Sequence, residues 1–312
     1  MLANTDYEKE YAKAMACLNE QNKEYKKLLN TKEYKLGEQL IRMTQCVVHF
    51  NLKAVRGYFR NLRWKRKTSE CPIPPQHVSV NERTKPMQYI SNKRIAVYTC
   101  IFGNYDQVQE PLMQPDNIDY YIITDKKLKS TSIWKSVTPK VAFDRALSNV
   151  EKNRFYKMHP DLVFQDYDYS IYIDGNVKVI SDLTPYIYKL KSSGIGMHRH
   201  SQRCCAYDEL DALLIAYKAK RKDVNKYQCY LKENGFPRNY GLLECNVIVR
   251  EHHNSICKTI MEQWWEQFEQ GLKRDQVSLP YVLYKNNIEV ENIAVLGTNV
   301  YDNFDFRISR HA

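Results

Sequence analysis

The residues of this chain that can do chemistry stand where apolar runs stop. Ile171-Tyr172-Ile173 leads straight into Asp174-Gly175-Asn176. Arg94–Phe102 (RIAVYTCIF) ends at Gly103 and is followed by Asn104-Tyr105-Asp106, and Asp119–Thr124 (DYYIIT) is followed by Asp125. In open α/β sheets ligands bind beyond the carboxyl ends of the strands, so these polar ends matter as a set. Taken alone, Asp-Gly-Asn is also a good tight-turn sequence between strands 169–174 and 178–180. Arg154 and Lys157 lie three apart on a predicted helix and share a face, which suits either a bound anion or a solvated basic surface. In His198-Arg199-His200 an extended backbone puts both imidazoles on one side. Two imidazoles can make a metal pair, but no third protein ligand is evident, and hydrogen bonding to a ligand is the preferred reading. The adjacent Cys204-Cys205 is poorly spaced for chelation. Glu244 and Asn246 alternate with Cys245 in LLECNVIVR, a polar pair on one side of an apolar strand, as a cleft wall requires. Asp275-Gln276 opens a predicted helix, where a carboxylate is also favoured by the helix dipole alone.

These residues need elements to hold them. Compact β-branched and aromatic runs predict strands at 94–102, 119–124, 133–137, 169–174, 178–180, 195–199, 242–250 and 288–293. Helical composition and spacing predict helices at 142–158, 207–220, 224–233, 255–271 and 275–284. Strands alternating with helices indicate an α/β domain with a mostly parallel sheet. No Gly-x-Gly-x-x-Gly follows a strand and no P-loop is present, which argues against a dinucleotide fold or a P-loop enzyme.

The 312-residue chain carries a formal charge of +11, of which +8 falls in residues 1–90. Residues 1–70 read as a basic helical appendage, with eight Lys or Arg and no acid between Glu38 and Glu70. Apolar residues from Leu40 to Leu62 recur at helical steps, so 42–67 is a basic amphipathic stretch. It suits an anionic membrane surface and equally a helix packed on its own domain. Nucleic acid is the less favoured partner, since no nucleic-acid motif accompanies the charge. Residues 71–92, with Cys71-Pro72-Ile73-Pro74-Pro75, read as a linker, and 93–312 as the main domain. Nine cysteines without a C-x-x-C pair, and no apolar signal core or spanning run, lead to the expectation of reduced thiols and a cytoplasmic protein, peripheral on the inner face of the membrane if the basic stretch binds there.

The ordered pieces IAVYTCIFGNYD, DYYIITD, NRFYKMHP, DYDYSIYIDGN, GMHRHSQRCCAYDE, LLECNVIVR and RDQVSLPYVL resemble a glycosyltransferase-like domain family of GT-A type. That family includes plant Golgi proteins of wall polysaccharide and bacterial proteins of surface polysaccharide. The resemblance covers roughly residues 94–300. It implies a Rossmann-related mixed sheet flanked by helices, and transfer of a sugar from a nucleotide sugar, taken as UDP-linked, to a saccharide or lipid-linked glycan of bacterial surface polysaccharide. Upstream, YKKLLNTKEYKLGEQLIR is similar to a helical appendage of bacterial glycosyltransferases.

The resemblance also implies roles for named residues. Asp174 and Asn176 stand where such enzymes carry Asp-x-Asp, which holds Mn²⁺ or Mg²⁺ against the donor diphosphate. Asn176 departs from that pattern and removes one negative charge. Thr99, Tyr105 and Asp106 stand where the first strand meets the nucleotide, Asp125 near its base or ribose, Arg154 and Lys157 near its diphosphate, and Gly175 within the donor turn. His198, Arg199, His200, Asn246 and Gln276 are expected at the sugar or acceptor. Asp275, with Glu244 as rival, is the candidate base that an inverting transferase needs. A hydrolase acting on a glycosidic or lipid substrate is the main alternative, because paired carboxylates also cleave glycosidic bonds; no Gly-x-Ser-x-Gly elbow supports a serine hydrolase. A non-catalytic carbohydrate-binding module is the other.

Overall fold

The computed structural model describes residues 93–309 except 104, 140, 142, 298 and 302, together with residues 20, 24, 27, 28, 31–34, 36 and 37. The basic stretch 42–67 and the linker 71–92 lie outside the described residues, as does most of the appendage. The chain divides into two compact units, Met1–Pro74 with Arg203–Arg238 and Pro75–Gln202 with Asn239–Ala312.

The larger unit is built on strands β1 (Ile95–Ile101), β2 (Ile118–Thr124), β3 (Lys135–Ser136), β4 (Tyr169–Ile173), β5 (Val177–Val179), β6 (Ile195–Arg199), β7 (Leu243–Glu251) and β8 (Phe306–Ile308). The main sheet has the order β3-β2-β1-β4-β7-β6. Strands β3, β2, β1 and β4 run parallel, whereas β7 is antiparallel to both β4 and β6. The sheet is therefore mixed. The reversal brings the start of β7 to the end of β4, where Ile173 pairs with Val247 and the Asp174 N–H donates to Asn246 O at 2.8 Å.

In chain order the helices are α1 (Asn149–Met158), α2 (Ala206–Ile215), α3 (Arg221–Glu233), α4 (Ser255–Gln270) and α5 (Asp275–Lys285). Helices α1, α4 and α5 cover one face of the sheet, burying Tyr98, Tyr172 and Ile248 with Met158, Trp264 and Leu283. On the other face Val97, Ile171 and Val249 pack with Val177, Val179, Tyr186 and Phe306. Covering on both faces explains why β1 is a continuous apolar run rather than an alternating one. In the smaller unit, α2 and α3 are linked by the Gln228–Asp211 hydrogen bond of 3.0 Å, and Tyr207 OH donates to Phe236 O at 2.8 Å.

Three local differences from the sequence expectation have physical reasons. Helix α1 starts later than residue 142, because Ser148 and Glu151 form a reciprocal capping box that fixes its first turn. Residues 288–293 do not form a strand; Val290–Asn292 is a short 3-10 turn whose Val290 and Ile293 are buried, which an apolar run permits as readily as a strand. Strand β5 pairs with β8 and not with β4, so Asp174-Gly175-Asn176 is not the loop of a hairpin.

Candidate active site

The carboxyl ends of β1, β2, β4 and β6, the start of β7 and the N-terminus of α5 meet at one edge of the sheet. Asp174 is the first residue past β4. Its Oδ1 accepts from Tyr172 OH at 2.8 Å and from Lys157 Nζ at 3.4 Å. Burial pushes the Tyr172 phenol well above its ordinary value, so it stays a donor. Val177 N–H closes the turn on Asp174 O at 2.9 Å. A Cβ on Gly175 would lie 2.9 Å from Ile101 Cδ1 and 3.0 Å from Asp106 Cβ, so only glycine lets the turn lie this close to β1. Asn176 donates from Nδ2 to Ser309 O at 3.0 Å and accepts the Ser309 N–H at its own carbonyl, at 2.8 Å. The triplet is thus pinned from both sides, with the Asp174 side chain 28% exposed.

Arg154 and Lys157 do share a face of α1, and both reach Asp275. Lys157 Nζ lies 2.8 Å and Arg154 Nε 2.9 Å from Asp275 Oδ2. Lys157 is almost wholly buried, at 1% side-chain exposure, while Arg154 is 24% exposed. The Lys157 ammonium also stands 4.8 Å from the centre of the Tyr172 ring. Trp264 fixes the start of α5 by donating from Nε1 to Asp275 O at 3.0 Å. Burial works against ionisation of Asp275, but Arg154 and Lys157 overcome it and hold the carboxyl well below the usual range. A carboxylate held this way is a weak proton acceptor at neutral pH.

Glu244 has the opposite character. It is buried, with Oε1 accepting from Ser201 N–H at 3.0 Å and Oε2 from Val300 N–H at 2.9 Å. Burial pushes its carboxyl up to about 7, against the pull of those hydrogen bonds. Beside it on β7, Asn246 Oδ1 is buried with no hydrogen-bond partner among the described residues. A buried acceptor of that kind is costly unless something donates to it.

The remaining expected residues divide. Tyr105 is 63% exposed at the end of β1, and Asp106 is buried against Gly175. Asp125 is exposed and accepts the Gly103 N–H, at 3.0 Å and 3.3 Å from its two oxygens, closing the exit from β1. Thr99 lies within the core, its hydroxyl buried. Arg199 pairs with Glu291 at 2.7 Å, Gln276 donates to Leu243 O at 3.2 Å, and His200 Nδ1 accepts from Gln202 N–H at 3.1 Å. His198 is wholly buried and meets Asn303 at 2.8 Å, in a network where Tyr186 OH donates to Asp305 at 2.6 Å. His198 also packs edge-on against Phe306 of β8. His198 therefore ties the C-terminal segment to the sheet and does not line the edge.

Two contributors were absent from the sequence reading. Tyr172 stands two residues before Asp174 in a strand, so strand alternation already put both on one side. Arg250 is wholly buried, donating to Tyr98 OH at 2.8 Å and to Lys157 O. Tyr98 OH in turn donates to Tyr156 O at 3.0 Å, so the last turn of α1 is clamped from beneath. A lone cation inside the apolar run LLECNVIVR was its visible signal.

The expected Mn²⁺ or Mg²⁺ can be tested against this donor set. Asp174 Oδ1 and Asp275 Oδ2 converge on the Lys157 ammonium, and Asn176, donating from Nδ2 to Ser309 O, offers only a neutral amide oxygen. Among the described residues no group of three or more His, Cys, Asp or Glu is placed to hold a metal ion. As arranged, these residues do not fit a divalent cation.

A mixed sheet with polar groups gathered at its strand ends defines an α/β domain with a candidate ligand edge. The family described as TOD1/MUCI70, glycosyltransferase-like domain, matches residues 73–308, and the chain belongs to that family. Among solved structures, the apo structure of the bifunctional glycosyltransferase WbbM is similar at 10% identity, with a TM-score of 0.39, over 64% of this chain and 39% of that one. The chain thus spans well under half the length of that protein. No curated protein matches the chain. Among the described residues no helix is long and apolar enough to cross a membrane.

Proposed function

We propose that the chain is a GT-A-type glycosyltransferase that moves a sugar from a nucleotide-sugar donor to a saccharide or lipid-linked glycan of a bacterial surface polysaccharide. The observation that carries this reading is the convergence at one sheet edge of Asp174, Asp275, Lys157 and Arg154 with Glu244 and Asn246. The donor lies along the ends of β1, β2 and β4, with Tyr105 and Asp125 toward the nucleoside and the diphosphate against Arg154. Arg154 has five N–H donors, and its bonds to Asp275 and Asn153 leave donors for phosphate oxygens. Charge developing on the leaving diphosphate is stabilised by cations already in place, which need no reorganisation during reaction.

The acceptor hydroxyl is assigned to the Glu244–Asn246 side of the edge. A base works best when its pKa lies near the working pH. Glu244, at about 7, meets that condition. Asp275, held low by its cations, serves to position them. Asn246 Oδ1 accepts from a sugar hydroxyl, which resolves its buried state.

The test is product analysis by mass spectrometry, with a panel of nucleotide sugars incubated with and without oligosaccharide or lipid-linked acceptors. Transfer requires a glycosylated acceptor that forms only when both substrates are present. Sugar released equally with and without acceptor would make the protein a hydrolase, and no product from any pair would leave a binding module.

A further inference from the structure

A GT-A-type site ordinarily neutralises the leaving diphosphate with a divalent cation held between carboxylates. Here the place between the carboxylates is taken by a side chain. Lys157 Nζ lies 2.8 Å from Asp275 Oδ2 and 3.4 Å from Asp174 Oδ1. We propose that Lys157 is the resident cation of this site, and that the chain binds its donor diphosphate without a divalent metal. This inference rests on the donor reading above.

Four observations support it. The ammonium is almost wholly buried at 1% exposure, and a buried charge is kept only when it is paired. It is paired with two carboxylates from separate elements, one at the end of β4 and one at the start of α5. Its backbone is fixed, because Lys157 O accepts from both Arg250 and Tyr98 OH, so the side chain starts from an anchored Cα. Finally, Asn176 supplies a neutral amide where a second carboxylate would be needed to outcompete an ammonium, and its Nδ2 donates to Ser309 O. With Lys157 and Arg154 set against Asp174 and Asp275, the cluster is neutral. An entering diphosphate takes the place beside the partly exposed Asp174 and receives the spare N–H donors of Arg154. Lys157 and Arg154 together balance the two carboxylates throughout. No bond to a metal is made or broken in this scheme.

The experiment is isothermal titration of the full chain with UDP, GDP, ADP and CDP, in EDTA and in Mn²⁺, repeated on Lys157→Ala. The expected result is binding of one diphosphate with the same affinity in both media. Lys157→Ala should weaken binding in EDTA by about a hundredfold, the scale seen when one partner of a buried charge pair is deleted. Mn²⁺ should then restore it, because the two carboxylates are left facing each other across the vacated position. Binding by the unmodified chain that needs Mn²⁺, or improves more than about tenfold with it, would overturn the inference and leave the donor reading standing. Failure of every diphosphate in both media would overturn the donor reading and this inference with it. The comparison on the unmodified chain decides the matter even if Lys157→Ala does not fold.

Discussion

Replacing Glu244 with glutamine removes a charge that the fold holds at a cost. The carboxyl is 4% exposed, and burial lifts it from an ordinary 4.5 to about 7. Between those values the folded chain keeps a proton that the unfolded chain has lost. Stability from this group is therefore fully present below the unfolded value and is lost as pH rises through about 7. Each pH step in the window corresponds to about 1.4 kcal/mol. Between about pH 5 and pH 8 the loss integrates to roughly 2.5 kcal/mol. Glutamine does not titrate, so the stability of the natural chain minus that of Glu244→Gln should fall by that amount over the same range. Urea unfolding of both proteins at four or five pH values measures it, and the subtraction cancels every other titrating group. A difference that stays flat within about 0.5 kcal/mol would refute the claim that burial outweighs the hydrogen bonds from Ser201 and Val300. It would also remove the reason for preferring Glu244 as the base.

Gly175→Ala should destabilise the fold by about 1–3 kcal/mol, the usual range for forcing a methyl into packed atoms, here Ile101 and Asp106; denaturant midpoints would show it, and an unchanged midpoint would mean the turn is not tightly packed. Arg250→Met should cost about 3 kcal/mol, because it strips donors from buried Tyr98 OH and Lys157 O. The same variant should lower nucleoside diphosphate affinity, and retained affinity in a folded Arg250→Met protein would detach Arg250 from the positioning of Lys157.

Much of the fold was legible because its strands are covered on both faces. β1 is nearly all apolar and β2 and β4 are mostly so, and the fold brings their polar ends to one edge of the sheet. The direction of β7 was not legible, since an apolar strand reads the same either way and its reversal depends on pairing with β4 and β6. Short elements were also lost: Phe306–Ile308 is three residues long and exists only because β5 needs a partner. In the site, the shared face of Arg154 and Lys157 followed from helical spacing. Their partner Asp275 did not, because it lies more than a hundred residues away and approaches through the packing of α5. His198 shows the limit of strand alternation, which gives a side but not its burial: Asn303 and Phe306 of the C-terminal segment pack against it. Arg250 was readable as an anomaly, a cation in an apolar strand, but its target on α1 was not.

The most direct test of the donor edge is the rate of nucleoside diphosphate release with a matched nucleotide sugar and acceptor, measured for the natural chain and for Asp174→Ala. Asp174 is 28% exposed and lies at a strand end, so its loss should leave the fold intact by circular dichroism and thermal melting. The rate should fall by about a thousandfold or more, equivalent to roughly 4 kcal/mol of barrier. A folded Asp174→Ala protein that turns over at the natural rate would contradict the account.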